Sequence, residues 1–301
     1  DEDMSVKVLV SGGTGLVGRE LVSLLLESGH EVMILSRRPA SERIVHWEPG
    51  ETEIKVDSLD GFDAIVHLAG ESIASGRWTE SKKQVIRDSR VQLTENLTEA
   101  IKKTKKPPKV IVAASAIGFY GDRGDELLSE DSDCGSGFLA SLCRDWENAS
   151  KGLAAAGIRV VNLRIGVVLS KDGGALAKML LPFKLGMGGQ IGSGKQYMSW
   201  ISIKDLVSII AFALERDFLV GPVNAVAPEP VTNIDFTRAL GKVLSRPTFL
   251  PVPKFGVQML LGEMADELLI ASARVMPDKL IKHGYEFKHS SVETALSDAL
   301  K

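Results

Sequence analysis

The sequence contains little cysteine and no long run of apolar residues. Of its 301 residues only two are cysteines, Cys134 and Cys143. They fit no metal-ligand spacing and allow one disulfide at most, which suits a reducing compartment. No apolar run approaches the roughly 20 residues that a membrane-spanning helix needs. We therefore expect no transmembrane segment.

Neither sign of charge dominates, and histidines are few and scattered. The formal net charge is −3, so the chain as a whole has no basic field for a nucleic acid or an anionic membrane. The five histidines show no i, i+4 ligand pair, and we predict no metal site. The opening "DEDMSVKVLV" enters a strand almost at once, without a visible signal or transit peptide. We expect a cytoplasmic monomer or homodimer with a small-molecule substrate, or a protein of an organelle stroma if the start is a processed end.

What the sequence does contain is a regular alternation of strand and helix patterns. Apolar runs of strand length occur in "VKVLVSG", "EVMILS", "DAIVHLAG", "PKVIVAASA" and "IRVVNLRIGVVL", and segments with helical spacing of apolar residues separate most of them. Strands that are apolar throughout are typical of a parallel sheet covered on both faces. The predicted fold class is α/β, a Rossmann-type doubly wound parallel sheet with a smaller C-terminal lobe.

Changes in composition divide the chain. Residues 4–170 carry the alternation and are predicted to form a dinucleotide-binding domain, which a helix and strand at about 201–225 complete. Residues 171–200 are glycine-rich and are expected to be irregular. Prolines and short helices characterise residues 226–301, which we assign together with 171–200 to a small substrate-side lobe.

A glycine triplet stands between the first strand and the first helix. In "SGGTGLVG", Gly12, Gly15 and Gly18 are three residues apart. One would make the tight turn, one would let the backbone approach a pyrophosphate, and one would let helix and strand pack closely. The anion would then rest on N–H groups at the N-terminus of the helix. The predicted cofactor contacts of this loop are Gly12, Thr14, Gly15, Leu16, Val17 and Gly18.

Two adjacent arginines follow the second strand. In folds of this kind the end of that strand, about 20 residues after the glycines, faces the adenosine ribose, where an acidic residue selects NAD. This chain has Ser36, Arg37 and Arg38 there and no carboxylate. A guanidinium group can donate two parallel hydrogen bonds to the oxygens of one phosphate, and a hydroxyl can add a further hydrogen bond. The pattern predicts a clamp for a 2′-phosphate, and hence NADP(H) as the cofactor.

Longer motifs make the chain similar to one superfamily. The glycine triplet, "HLAG" and "SAIGFYG" resemble the extended and atypical short-chain dehydrogenases/reductases. Motifs such as "SRRP", "CRDWE", "MLLPFKLGMGG", "SWISIKDL" and "NAVAPEPVTN" resemble its epimerase-family subgroup, related to nucleoside-diphosphate-sugar epimerases, along nearly the whole chain. The resemblance implies a Rossmann domain and a small C-terminal α/β lobe that closes over the nicotinamide end.

The resemblance also implies further cofactor contacts. The loop that contains "LAG" would pass beneath adenine and ribose, with the next residue bonding a ribose hydroxyl. The arginine of "DSRV" would reach a phosphate, or else be an ordinary surface cation. The exit of "LRIGVVL" would touch the nicotinamide amide. The contacts implied in this way are Leu68, Ala69, Gly70, Glu71, Arg90, Ser115, Gly166, Val167 and Val168.

The catalytic positions depart from the superfamily pattern. Short-chain dehydrogenases use a Tyr-x-x-x-Lys pair, in which the lysine lowers the pKa of the tyrosine. Alignment on the helix residue Glu147 puts Leu139 at the tyrosine position and Cys143 at the lysine position, and neither can do this chemistry. Ser115 matches the substrate-binding serine and Tyr120 a second pocket tyrosine, so these two are the catalytic candidates. As ordinary loop residues they would carry no chemistry.

Two classes of function remain open from the sequence. The first is an NADP(H)-dependent oxidoreductase or epimerase that acts on a small polar or sugar-nucleotide substrate. The second is a non-catalytic protein that binds NADPH as a sensor or regulator. The retained serine, tyrosine and second lobe favour the first class, and the missing Tyr/Lys pair favours the second.

Overall fold

The structure is a computed structural model that describes residues 5–47, 54–70 and 72–301. Its strands are β1 Lys7–Ser11, β2 Glu31–Ser36, β3 Ile44–His46, β4 Ala64–His67, β5 Val110–Ala116, β6 Leu127–Leu128, β7 Arg159–Ile165, β8 Val167–Leu169, β9 Tyr197–Met198, β10 Trp200–Ser202, β11 Gly221–Ala225, β12 Val231–Thr232 and β13 Arg274–Val275.

The helices surround these strands. They are α1 Leu16–Glu27, α2 Glu80–Arg87, α3 Leu93–Lys102, α4 Phe138–Asn148, α5 Gly152–Ala155, α6 Gly174–Lys184, α7 Ile203–Glu215, α8 Asn233–Leu244, α9 Lys254–Leu261, α10 Glu263–Ala265, α11 Asp278–Lys282 and α12 Val292–Ala299. No helix in the described part of the chain has the length and hydropathy needed to cross a bilayer.

The main sheet confirms the predicted Rossmann-type fold. Within the described residues it has seven strands in the order β11-β7-β5-β4-β1-β2-β3, and every pairing in it is parallel. The strand order reverses direction at β1, because the chain first adds β2 and β3 on one side and then β4 and β5 on the other. In open α/β sheets such a switch point creates a crevice at the carboxyl ends of the strands.

Both faces of the sheet are covered, which explains why its strands are apolar throughout. Along β1 the side chains alternate between two cores, with Val8 and Val10 in one and Leu9 in the other. The first core packs against α1 and α7, which lie side by side. The second packs against α3 and α5.

The structure differs from the sequence-based prediction at the last long strand. "IRVVNLRIGVVL" was expected to be one strand, but it forms β7 in the main sheet and β8 paired in parallel with β10 outside it. The break falls at Gly166, where the backbone passes so close to Ser199 that a Cβ would lie 2.7 Å from its carbonyl oxygen. The expected irregular segment 171–200 also contains a full helix, α6.

A third core lies between α6, α8 and α12. Its buried side chains include Phe183, Trp200, Phe236 and Leu296. This core joins residues of the segment around 170–200 to residues beyond 226. The arrangement is the grouping that we propose for the smaller lobe.

Candidate functional site

The three glycines of the first loop fill three different geometric needs. Gly12 has a φ of +71° and would place a Cβ 2.9 Å from the amide nitrogen of Ala69. A Cβ on Gly18 would collide with the carbonyl oxygen of Gly12, so helix and loop could not approach as they do. Gly15 is exposed, and a Cβ there would meet only that same carbonyl oxygen at 3.3 Å. The outer side of Gly15 is thus open to a ligand.

The N-terminus of α1 begins in this loop and carries no acidic residue in its own first turn. Gly15 is the N-cap and offers no side-chain oxygen. The first N–H groups of a helix lack intrahelical acceptors, and the helix dipole favours an anion there. Thr14 is exposed beside the cap, and Leu16 and Val17 are half-buried in the first turn. The loop therefore suits a diphosphate.

The paired arginines lie next to the glycine loop. Strand β2 runs beside β1, with Ser11 opposite Leu35, so Ser36 is the first residue beyond that pair at the carboxyl edge. The Ser36 hydroxyl accepts a hydrogen bond from the amide of Arg38 at 3.2 Å. Arg37 and Arg38 are exposed, and within residues 5–47, 54–70 and 72–301 neither guanidinium forms an ion pair. At this edge, two guanidinium groups without an ion-pair partner among the described residues suit the predicted 2′-phosphate.

The loop after β4 is held from below by a buried histidine that sequence reasoning missed. The Ser11 hydroxyl accepts hydrogen bonds from the amides of Leu68 (3.1 Å) and Ala69 (3.3 Å) and lies 2.5 Å from Nδ1 of His67. Nε2 of His67 lies 3.0 Å from the Thr94 hydroxyl. His67 is fully buried, and this desolvation lowers its pKa from 6.5 to about 4. A neutral imidazole thus fixes the predicted adenosine loop to the sheet.

Arg90 lies against the end of the same loop. Its guanidinium carbon would be 3.1 Å from a Cβ on Gly70, and it stacks at 5.1 Å over the ring of Trp146. Arg90 belongs to a π-helical turn, Asp88–Gln92, between α2 and α3, and such turns are frequent at functional sites. The structure therefore brings Arg90 to the predicted cofactor loop. Glu71, the next predicted contact, lies outside the described residues.

Ser115 belongs to a buried charged network. Its hydroxyl donates to Oε1 of Glu147 at 2.8 Å. The same carboxylate accepts two hydrogen bonds from Arg164, at 2.8 Å from Nε and 3.0 Å from Nη2. All three residues are less than 10% exposed. The Ser115 proton is thus committed to an ion pair, which leaves only its lone pairs for a ligand.

Tyr120 is the other catalytic candidate, and it joins the same network. Its hydroxyl accepts from Nη1 of Arg164 at 3.0 Å and donates to the side-chain oxygen of Asn224 at 2.6 Å. The residue has no exposed surface, and burial raises its pKa to about 12. In this arrangement the hydroxyl links the turn that follows β5 to β7 and β11. Its catalytic role stays a prediction that requires the network to open.

The two dyad positions on α4 are apolar, as the sequence indicates. Leu139 packs against Gly118, where a Cβ would be 3.1 Å from the leucine Cβ, and it belongs to an apolar cluster with Trp78 and Met264. Cys143 is buried, and desolvation raises the pKa of its thiol to about 12. Neither position offers an ionisable group at neutral pH.

The chain leaves β7 at the predicted nicotinamide contacts. Gly166 donates its amide to the carbonyl of Ala225 at 3.1 Å, and Val167 donates to that of Ser199 at 2.9 Å. Val167 and Val168 are half-buried at the start of β8. The strand therefore turns from the main sheet toward the smaller lobe at these three residues.

One further contact joins the C-terminal region to the start of α4, and no pattern in the sequence predicted it. The carboxylate of Glu267 accepts hydrogen bonds from the amides of Phe138 (2.7 Å) and Leu139 (2.8 Å) at the start of α4. Gly137 caps this helix with a φ of +107°, and a Cβ there would lie 2.7 Å from Oε1 of Glu267. The C-terminal region thus supplies the cap of the helix that carries the dyad positions.

Taken together, the described residues suit a dinucleotide that carries an additional phosphate. A glycine cradle that any Cβ would narrow, an uncapped helix N-terminus and two unpaired guanidinium groups all lie at the carboxyl edge of β1 and β2. The loops after β4, β5 and β7 continue the same edge of the sheet.

Comparison with known proteins agrees with this geometry. Residues 8–224 match a model of the NAD dependent epimerase/dehydratase family, and residues 252–299 match a domain of unknown function, DUF1731. Epimerase family protein ML0860 of Mycobacterium leprae is 41% identical over 97% of this chain and 95% of its own length. Epimerase family protein YfhF of Bacillus subtilis is 38% identical over 98% of both chains.

A solved structure is similar over its whole length. The crystal structure of human epimerase family protein SDR39U1 (isoform 2) with NADPH superposes with a TM-score of 0.89 at 36% identity, covering 97% of this chain and 98% of that one. The family model and these relatives confirm the resemblance to the short-chain dehydrogenase/reductase superfamily. The chain belongs to the NAD dependent epimerase/dehydratase family.

Proposed function

We propose that the protein binds NADP(H) and acts as an oxidoreductase or epimerase on a small polar or sugar-nucleotide substrate. The observation that carries the cofactor assignment is the pair Arg37 and Arg38, exposed and unpaired within the described ranges, at the end of β2 where a ribose-binding acid would select NAD. The human relative with 36% identity was solved with NADPH, which supports the same assignment.

The chain's own residues divide the binding task among the strand ends. Amides at the start of α1 would bind the diphosphate, and Ser36 with the two arginines would bind the 2′-phosphate. The loop Leu68–Gly70 would lie along the adenosine side, and Gly166–Val168 would border the nicotinamide. When bound, this cofactor supplies a hydride donor or acceptor, so the protein's share is to position a substrate carbon and to move its proton.

Proton transfer is the weak part of this site. Positioned general acids and bases typically contribute about 10²–10⁴-fold to a rate. Leu139 and Cys143 cannot supply such a group, while Ser115 and Tyr120 are held by Glu147, Arg164 and Asn224. We therefore expect slow or very narrow turnover. The same observation favours a second candidate, a protein that binds NADPH as a sensor without turnover.

Cofactor preference is tested by titrating NADPH and NADH against the wild type, Arg37→Ala and Arg238→Ala. Two charge-assisted contacts to a phosphate are worth about 30- to 1000-fold in affinity. We expect the wild type to prefer NADPH by such a factor and Arg37→Ala to lose much of it. Arg238→Ala, which removes a largely exposed arginine from α8, should keep it. Equal wild-type affinities for the two cofactors would contradict the clamp.

Turnover is tested separately with a panel of carbonyl and sugar-nucleotide substrates while NADPH oxidation is followed optically. Activity that falls at least tenfold in Ser115→Ala or Tyr120→Phe supports the enzymatic candidate with these residues in it. Tight NADPH binding with no turnover on any substrate supports the sensor.

A further inference from the structure

A large apolar surface is exposed on the smaller lobe. Eight side chains of two chain segments form it, each with between 51% and 76% of its surface exposed. We call this surface the lobe face; its residues are Leu181, Leu185, Met187, Phe249, Leu250, Phe255, Met259 and Leu260.

The two segments lie side by side, which brings the eight residues near one another on the smaller lobe. Gly189 forms a β-bridge with Phe249, and the amide of Val252 donates to the carbonyl of Gln190 at 2.7 Å. One turn earlier, Nε of Arg246 donates to the carbonyl of Lys184 at 2.8 Å. Helix α6 precedes these paired segments and α9 follows them. Leu181 of α6 and its C-cap residue Leu185 are spaced i, i+4, as are Phe255 and Met259 of α9.

The lobe face protrudes and is large. Side chains that line a closed groove shield one another, whereas Phe249, Phe255 and Leu260 are each more than 70% exposed. At roughly 100 Å² of exposed side chain each, eight such residues expose on the order of 800 Å², more than the few hundred Å² usual for a monomer. A patch of this size indicates an interaction surface.

The charges within these segments all have one sign. Residues 178–187 contain Lys178 and Lys184, and residues 246–260 contain Arg246 and Lys254, while neither segment contains an acidic residue. Nζ of Lys178 donates to the carbonyl of Ala74 at 2.8 Å, and Asp266 beside α9 accepts from Gln258 at 2.7 Å. In the part of the chain that the structure describes, none of the four cations has an ion-pair partner. Lys178 and Leu181 of α6 and its C-cap residue Leu185 are spaced i, i+3 and i+7, so they follow one side of the helix.

The charge and the shape of the lobe face together indicate which kind of partner binds there. A second copy docked through the same face would bring four cations against four cations, as a two-fold interface requires. An anionic bilayer instead offers apolar chains to the protruding side chains and lipid headgroups to the cations around them. We propose that the lobe face docks the protein peripherally on the surface of an anionic membrane.

The experiment is vesicle sedimentation of the purified full chain. The vesicles are phosphatidylcholine alone or phosphatidylcholine with phosphatidylglycerol, at low and high salt. One variant carries Lys184→Gln and Lys254→Gln. Its matched control, Lys55→Gln with Lys151→Gln, makes the same change of net charge at exposed positions elsewhere. A second variant carries Phe255→Ser and Leu260→Ser, with the exposed Phe218→Ser as its control.

We expect binding to anionic vesicles only, and weaker binding at high salt. Each removed lobe-face cation should weaken partition roughly fivefold, so the first variant should lose about 25-fold while its control binds as the wild type does. The Phe255→Ser, Leu260→Ser variant should also bind at least tenfold more weakly, with unchanged thermal unfolding because both residues are exposed. Equal binding of variants and controls, or no binding to anionic vesicles, would overturn the proposal. So would light scattering that shows a dimer which dissociates in the lobe-face variants, since the face would then belong to a second copy.

Discussion

The buried histidine beneath the cofactor loop predicts a specific loss of stability in acid. Because the Ser11 hydroxyl already accepts two amide hydrogen bonds, from Leu68 and Ala69, its own proton points to Nδ1 of His67. The remaining ring proton on Nε2 is then donated to Thr94. A second ring proton would meet no free acceptor at Nδ1 and would place a charge in the core. Protonation and this folded arrangement therefore oppose each other.

The magnitude follows from the shift in pKa. Burial lowers the pKa of His67 from 6.5 to about 4, and each pKa unit corresponds to about 1.4 kcal/mol. Between these two values the unfolded chain binds more protons than the folded one, so stability falls as pH falls. The stabilisation that comes from keeping His67 neutral is fully present above pH 6.5 and is lost progressively as the pH falls toward 4. The total loss in the free energy of unfolding is about 3 kcal/mol. That is a large share of the 5–15 kcal/mol typical of a whole protein.

The assay is urea unfolding, followed by far-ultraviolet circular dichroism, at several pH values between 7 and 4. His67→Asn keeps an acceptor near Ser11 but removes the titrating ring, so the wild type should lose about 3 kcal/mol more than this variant on acidification. Thr94→Val removes one acceptor but keeps the ring, and should lower stability at neutral pH while retaining the acid-dependent loss. Identical pH dependence in the wild type and His67→Asn would refute the reasoning.

Four further predictions concern the glycine loop and the buried network. Gly15→Val should fold but lose NADPH binding in a fluorescence titration, because its side chain would occupy the open side of the loop, whereas Gly18→Ala should lower the melting temperature, since its Cβ collides with the loop backbone. Arg164→Met should cost about 3–5 kcal/mol in chemical denaturation, because it leaves the Glu147 carboxylate buried without its partner; stability equal to the wild type would contradict a stabilising role for this ion pair. Tyr120→Phe should lose about 1–3 kcal/mol, because the side-chain oxygen of Asn224 is left without its buried donor; unchanged unfolding would separate the hydroxyl from the network.

Local patterns in the sequence determined the fold class and predicted the edge of the sheet where we propose that the cofactor binds. Apolar runs can be read as buried strands because a sheet covered on both faces needs apolar residues at every position. The spacing of Gly12, Gly15 and Gly18 also carries its own explanation, since each fills a steric need within one short loop. The arginines after β2 could be placed for the same reason, because they lie a fixed distance along the chain from that loop.

Contacts between distant segments could not be predicted in this way. Ser115 and Tyr120 were selected by position in a motif, but Glu147, Arg164 and Asn224 come from other elements and hold both hydroxyls in a buried network. His67 looked like one more residue of an apolar strand. Only the packing of β1, β4 and α3 shows that it is buried, which lowers its pKa, and that it lies beneath the proposed cofactor loop.

The same limit applies to surfaces. The net charge of −3 argued against a membrane partner, because a sum over the whole sequence ignores where the charges lie. The tertiary structure brings residues 178–187 beside residues 246–260 and so collects four cations and eight exposed apolar side chains on one face. Local composition determined which residues are apolar or charged, and only the pairing of segments some 60 residues apart, as between Lys184 and Arg246, decided which of them act together.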